Sequence, residues 1–285
     1  MTHDRSHDIK ISILTPVYMG ERYVEGCVEN VARQQCGGLE HIIVDGGSSD
    51  RTVEIIRGLA DKYPDVRWIS EPDRGQSDAL NKAIAMARGD IIGVLNVDDF
   101  YDPGVLPRIV SLFKDIPEPS LVVGACRMLG ERDRLITINR PRRLRWTDLV
   151  SGSLYAPFPW NPSAYFYHRT LHDLVGLYDP DEHYLMDLDF ILRAVRAAHV
   201  RYFDEWWGNF RFVAGGKTFG DMGSGGHHRR MRHFLRKHRA TATHQERRII
   251  ARNQLYGALF YPTNKLWRYI CSAYFRMNEN LPDSR

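Results

Sequence analysis

Cysteine is scarce in this 285-residue chain, and the four that occur, at positions 27, 36, 126 and 271, share no C-x-x-C spacing. Neither a zinc site nor a disulfide framework is predicted, and a reducing cytoplasm suits that usage best. Long apolar runs are also missing: no stretch approaches the ~18 residues of a membrane span. The polar residues 1–8 lack the basic-then-apolar order of a secretory signal, so neither signal peptide nor transmembrane helix is expected. There is no internal repeat and no low-complexity tract. Nor does a Gly-rich phosphate loop follow the first strand-like run, where Thr15-Pro16-Val17-Tyr18 stands instead, which argues against a dinucleotide oxidoreductase.

What is present is ordinary for a folded protein, with 43% hydrophobic and 26% charged residues. The length suits one catalytic-sized α/β unit, alone or with an appendage. The formal charge of +4 is unevenly spread, because residues 227–252 hold nine basic side chains against the single acid Glu246. Such a stripe implies a solvated helix face or an anionic partner: nucleic acid, a lipid surface, or a diphosphate in a cleft. No nucleic-acid-binding module accompanies it, so no nucleic-acid partner is expected.

Residues 10–14, 41–44, 66–70 and 91–95 are short runs rich in β-branched side chains, and 23–35, 51–63 and 76–88 between them carry helical spacing. Ser49 or Asp50 is placed to cap the second helix, and Gly89 to close the third. This alternation predicts an α/β fold, a mostly parallel central sheet flanked by helices. After Asp99 the pattern loosens around Pro103, Pro107, Pro117 and Pro119. Strands are expected at 121–126, 135–138, 164–167 and 201–203, and helices at 187–198, 225–239 and 244–259, with a mobile glycine-rich stretch at 215–226. The organisation read from this is a ligand-binding half at 1–100, a second half of the same domain at 101–225, and a basic, aromatic helical extension at 226–285.

All four early strands end in polar clusters: Thr15-Pro16, Asp45-Gly46-Gly47-Ser48, Glu71-Pro72-Asp73-Arg74-Gly75 and Asn96-Val97-Asp98-Asp99. In parallel α/β sheets, ligands bind beyond the carboxyl ends of the strands, so the four clusters make one candidate site. The last is the sharpest, since two adjacent carboxylates with no basic neighbour must face water or a cation. In an extended chain Asn96 and Asp98 share one face and Asp99 takes the other. Asp98 is then the candidate ligand for Mg²⁺ or Mn²⁺, Asn96 a ribose or metal-water contact, and Asp99 an orienting neighbour. Asp78 and Asn81, one turn apart at a helix start, are weaker candidates for the ribose or sugar, and His227 for the metal.

The runs ISILTPVY, IIVDGGSSDRT, SEPDRGQSDALNKAI and GDIIGVLNVDD together resemble the family 2 glycosyltransferases, inverting enzymes of the GT-A fold that use nucleotide-diphosphate sugars. The resemblance covers residues 10–105 closely and 160–200 loosely. It implies that Thr15, Pro16 and Asp45 border the nucleoside, that Asp73 and Arg74 line its far side, and that Asn96-Val97-Asp98 takes the D-x-D position. It implies as partners a nucleotide-diphosphate sugar, a UDP-sugar foremost, and a glycan or lipid-linked acceptor. Three residues depart from the family pattern: Asn96 stands for the first Asp of that motif, Gly46 for an acid that often follows Asp45, and Met186 for the Glu of a late E-D pair.

That pair carries the family's general base, and its counterpart here is Asp187 in YLMDLDFILRAV. Helical spacing separates the candidates, because Asp187 aligns with Ile191, Ala194 and Ala198 on the packed face, whereas Asp189 aligns with Arg193 and Arg196 on a wet one. The leading expectation is thus a metal-dependent inverting glycosyltransferase with Asp187 as base. A nucleotide-sugar-binding module without catalysis is the alternative, and a sugar nucleotidyltransferase a lesser one. The YAPFPWNP loop at 155–162 is a candidate acceptor platform or core packing. Residues 229–252, with Tyr261, Trp267, Tyr269 and Phe275, could rest on the inner face of an anionic membrane or pack as a helical pair.

Overall fold

The computed structural model describes residues 10–152, 155–212 and 226–260, with residues 226–228 and 260 by backbone alone. The stretch 213–225 and the aromatic tail 261–285 lie outside the described residues, as does the side chain of His227.

The apolar run that opens the chain forms β1 (Ile11–Val17), almost wholly buried, as a strand between two parallel neighbours must be. Those neighbours are β2 (Leu39–Asp45) and β4 (Ile91–Val94), and β3 (Val66–Ser70) lies outside β2. Three helices make the crossovers: α1 (Val24–Ala32), α2 (Thr52–Lys62) and α3 (Gln76–Met86). Each returns the chain to start a parallel strand, so all four carboxyl ends share one edge. Pro16 is tolerated in β1 because β4 pairs only as far as Leu14.

The later half turns the sheet antiparallel. It comprises β5 (Phe100–Tyr101), α4 (Val105–Phe113), β6 (Ser120–Leu129), β7 (Leu135–Asn139), α5 (Trp146–Ser151), β8 (Tyr165–His168), α6 (Leu171–Val175), α7 (Met186–Ala197) and β9 (His199–Arg211). The sheet order is β3-β2-β1-β4-β8-β6-β9-β5, with β7 beside β6. β8 runs antiparallel to β4 and β6, whereas β9 runs parallel to β6. The sheet is therefore mixed: β1 to β4 are all parallel, whereas the later strands pair antiparallel except for β6 with β9. One core cluster joins Ile11, Ile13 and Ile91 to Phe166 and Trp207, and each such buried side chain contributes about 1.5–3 kcal/mol.

The chain divides into two compact units. The first, up to Leu144 and again over Pro159–Arg211, holds the sheet. The second, Arg145–Phe158 and Phe212–Arg285, holds α5 with α8 (Gly226–Ala240) and α9 (His244–Phe260). Within it the Asn253 amide donates to Asp148 at 3.0 Å, and Arg239 donates to the carbonyls of Val150 and Ser151, closing the end of α5. Phe158 is buried here, while Trp160 belongs to the first unit.

Four expectations need correction. Helices α4, α5 and α6 were not legible; in α4, Pro107 sits in the first turn, where no intrahelical bond needs its N–H. Strand β9 reaches from His199 to Arg211, far beyond 201–203. Gly89 is no helix cap, since α3 ends at Met86 and Ala87 turns extended. It is small because a Cβ there would lie 2.6 Å from Ser12 Oγ. Last, residues 96–99 are not extended: Asp99 N–H donates to the Asn96 carbonyl at 3.0 Å, a tight turn that replaces period-two alternation.

Candidate active site

Asp45 closes β2, level with Val17 of β1 and Ser70 of β3. Its buried carboxylate accepts the N–H groups of Gly47 and Ser48, each at 3.0 Å, the Ser70 hydroxyl at 2.7 Å, and the Ser48 hydroxyl. Asp45 thereby shapes the loop that leaves the strand and ties it to β3. Thr15, by contrast, turns its hydroxyl into the core. It is fully buried and bonded to His41 Nε2 at 2.8 Å, so that hydroxyl is not available to a nucleoside. Pro16, one position on, faces the other side of the sheet and is half-buried.

Gly46 has a packing reason. A Cβ there would come within 2.6 Å of Asp73 Oδ2, so the Asp73 carboxylate occupies the space a side chain at 46 would need. Asp73 is itself held by the N–H of Gly75 at 2.8 Å, and Gly75 adopts φ 113°, a region that favours glycine, to open α3. Arg74 is exposed, and its N–H donates to Asp78 Oδ2 at 3.1 Å. Asp78 also lies 3.8 Å from Lys82. Asn81 clasps the backbone of Tyr178 with both ends of its amide, at 2.9 and 3.0 Å. Asp78 and Asn81 each make contacts that build the loop and helix.

From α3 a chain of hydrogen bonds crosses to the turn after β4. Gln76 Nε2 donates to Asn96 Oδ1 at 2.9 Å, and Asn96 Nδ2 donates to Asp99 Oδ2 at 3.0 Å. Asp99 is buried and also accepts Asn161 Nδ2 at 2.7 Å and the Arg211 N–H at 3.0 Å. Burial foremost, then the charge of Asp98, holds its carboxyl well above the usual range. Asn96 now has a cause: an aspartate there would set a second carboxylate against a buried one, whereas the amide donates to it. Burial also raises the Asp98 carboxyl, while Arg211 opposes that shift. Arg211 stacks on Phe100 and donates to the Asp98 carbonyl at 3.3 Å.

The same edge receives the start of α7. The Ser77 hydroxyl meets Met186 Sδ at 3.2 Å, packing α3 against α7, and Met186 is buried. A glutamate in its place would be desolvated there. Asp187 follows, half-buried, accepting the Tyr165 hydroxyl at 3.2 Å. Asp189 makes the expected i,i+4 pair with Arg193 at 2.8 Å, with both side chains half-buried rather than on a wet face. Gln76, Asn161, Tyr165 and Arg211 were missed as site residues. Gln76 and Asn161 carried a signal, in the SEPDRGQSDALNKAI run and the YAPFPWNP loop, whereas Tyr165 and Arg211 act through contacts remote in sequence.

No set of three or more His, Cys, Asp or Glu side chains converges to hold a metal among the described residues. The donor chemistry fits an ion held differently. Asp99 is engaged by three donors, which leaves Asp98 as the acid of the turn for a divalent ion whose other ligands would be phosphate oxygens and water.

Residues 12–171 match the family described as Glycosyl transferase family 2. The chain belongs to that family. One relative, the uncharacterized glycosyltransferase EpsJ of Bacillus subtilis, is 27% identical over 68% of this chain and 59% of its own length. The uncharacterized glycosyltransferase Rv1514c of Mycobacterium tuberculosis is 31% identical over 65% of this chain and 68% of its own. Chondroitin synthase of Escherichia coli is 36% identical over 45% of this chain and 18% of its own. Among solved structures, S. aureus TarS superposes with TM-score 0.64 at 16% identity, over 90% of this chain and 45% of TarS. The mannosyltransferase PcManGT from Pyrobaculum calidifontis, in complex with GDP-Man and Mn2+, superposes with TM-score 0.59 at 18% identity, over 98% of this chain and 78% of its own. These likenesses establish a GT-A fold. The chain spans under two thirds of EpsJ and about half of TarS.

Proposed function

We propose that this glycosyltransferase moves a sugar from a nucleotide-diphosphate donor to a hydroxyl of a glycan or lipid-linked acceptor, with inversion at the anomeric carbon. The observation that carries the reading is the hydrogen-bonded path from Asp73 through Gly75 and Gln76 to Asn96 and Asp99, with α7 and Asp187 docked on Ser77 of the same helix. That path runs along the carboxyl edge of the parallel strands, which supports reading the Asp73 loop as facing the nucleoside, Asp98 as the cation ligand and Asp187 as the base. TarS has been solved with UDP-GlcNAc and PcManGT with GDP-Man and Mn2+, which favours the same class of donor here.

In the proposed step, Asp187 takes the proton of the acceptor hydroxyl as that oxygen bonds to the anomeric carbon. The bond from that carbon to the diphosphate breaks on the opposite face, and the nucleotide diphosphate leaves with the electron pair. The Tyr165 hydroxyl holds Asp187 in its rotamer. A divalent ion, Mn²⁺ or Mg²⁺, would be held by Asp98 and would supply charge stabilisation to the departing diphosphate. Asp99 keeps Asn96, Asn161 and the Arg211 backbone in place around that turn.

The alternative, a binding module without catalysis, drew on the departures at Gly46, Asn96 and Met186. Each has a local packing cause, so the three together are no argument for lost activity. The test is thermal stabilisation by a panel of nucleotide-diphosphate sugars with Mn²⁺ or with chelator, followed by nucleotide release in the presence of acceptor glycans. A metal-dependent shift with one donor and release of its nucleotide supports the reading. A shift with no turnover for any acceptor, and no donor hydrolysis, favours the binding module.

A further inference from the structure

Helix α9 presents two faces of opposite character. Ile250, Asn253 and Gly257 are buried at helical spacing, and they form the side packed within the second unit. Opposite them run Arg248, Arg252, Leu255 and Leu259, separated by four, three and four residues, which places them in one stripe. All four are exposed, Leu255 at 62% and Leu259 at 64%. Tyr256 beside them is 43% exposed, its ring packed edge-on against Tyr155. The preceding helix adds cations: on α8, Arg229, Arg232, Arg236 and Lys237 are exposed, while Phe234 and Leu235 are buried. The one acid of these helices, Glu246, turns back to accept Thr243 N–H at 2.8 Å and Thr243 Oγ1 at 3.0 Å, capping α9.

We propose that the Arg248–Arg252–Leu255–Leu259 stripe, with the exposed cations of α8, is a docking surface for an anionic lipid bilayer. Charge complementarity selects an anionic partner, because exposed arginines and lysines face it with no free acid among them. The leucines then choose among anions. A nucleic acid would meet the cations through its phosphates and gain little from two aliphatic side chains pointing outward in the same line. A bilayer offers phosphate at the surface and acyl chain just beneath it, so arginine and leucine on one helical stripe are both satisfied. No described helix is long and apolar enough to cross a membrane, and the contact proposed is one of lying on the surface. It stands independently of the reading of the sugar-transfer site.

The test is cosedimentation of the full chain with vesicles of phosphatidylglycerol and phosphatidylcholine, with phosphatidylcholine alone as control, at low salt. Binding to the anionic vesicles and not to the control is expected. Arg248→Gln with Arg252→Gln should weaken it on the order of 30-fold, since each cation near an anionic surface contributes about a factor of five. Leu255→Ser with Leu259→Ser should weaken it severalfold and leave the melting temperature unchanged, because all four side chains are exposed. Absence of binding to anionic vesicles overturns the proposal. So does binding that the leucine variant leaves intact, which would point to a polyanion such as nucleic acid. A native mass that falls from dimer to monomer in the leucine variant would assign the stripe to a second copy of the chain, and overturn it equally.

Discussion

Asn161 donates its side-chain amide to the buried carboxylate of Asp99 at 2.7 Å, across 62 residues of sequence. Through Asp99 it also reaches Asn96 and the backbone of Arg211, so one carboxylate ties together the turn after β4, the loop before β8 and the end of β9. Asn161→Ala removes one of three donors from a desolvated acid. We expect a loss of about 1–3 kcal/mol in denaturant unfolding. Donor affinity should fall with it, since Asn96 is held by the same oxygen. An unchanged midpoint would deny Asp99 this organising role.

Gly46 and Asp73 compete for one volume. Gly46→Asp restores the acid often found at that position in the family but forces two carboxylates together, and should weaken donor binding about tenfold or more with the fold kept. Adding Asp73→Gly empties the space; because Asp73 is itself a proposed nucleoside contact, the relief is read in the melting temperature, which should rise from the single variant to the double. A double variant no more stable than the single would show that crowding is not the cause.

Asp187→Asn keeps size and removes the basic oxygen. Turnover should drop by roughly 10²–10⁴ with donor binding intact, read as nucleotide release against thermal shift. Tyr165→Phe should cost less in kcat and leave KM for the donor nearly unchanged. Full activity in Asp187→Asn would remove the base assignment.

His41 links β2 to β1 through Thr15 and is wholly buried, and burial lowers its pKa from 6.5 to about 3. The unfolded chain therefore binds a proton below pH 6.5 that the folded one refuses until about pH 3. Stability should decline with falling pH across that window, by up to about 1.4 kcal/mol per pH unit from this group. His41→Gln retains a donor for Thr15 and should flatten the decline, as measured by urea unfolding between pH 7 and 4. A variant with the same acid slope would place the dependence on other groups.

How much was legible follows from the range of the interactions. The four parallel strands and their helices were readable because period and punctuation are local: VRWIS forms β3 over the residues expected, and QSDALNKAIAM begins α3 at Gln76. The polar clusters that close the parallel strands were readable for the same reason, since they announce themselves in sequence. Helices α4 to α6 were not, because they are short or open with a proline whose tolerance depends on its place in the first turn.

Sequence alone therefore determined the class of fold and the family. It did not determine which polar side chains look outward. Thr15 lies inside β1, two residues short of its end, and turns inward to His41, while Asp45 ends β2 and organises its loop through four donors. Asn81 was committed by Tyr178, 97 residues away, and Asp99 by Asn161 and Arg211. A buried polar group must find its partner wherever the chain brings one within hydrogen-bond distance. That choice is made when the sheet closes, by contacts no local pattern encodes.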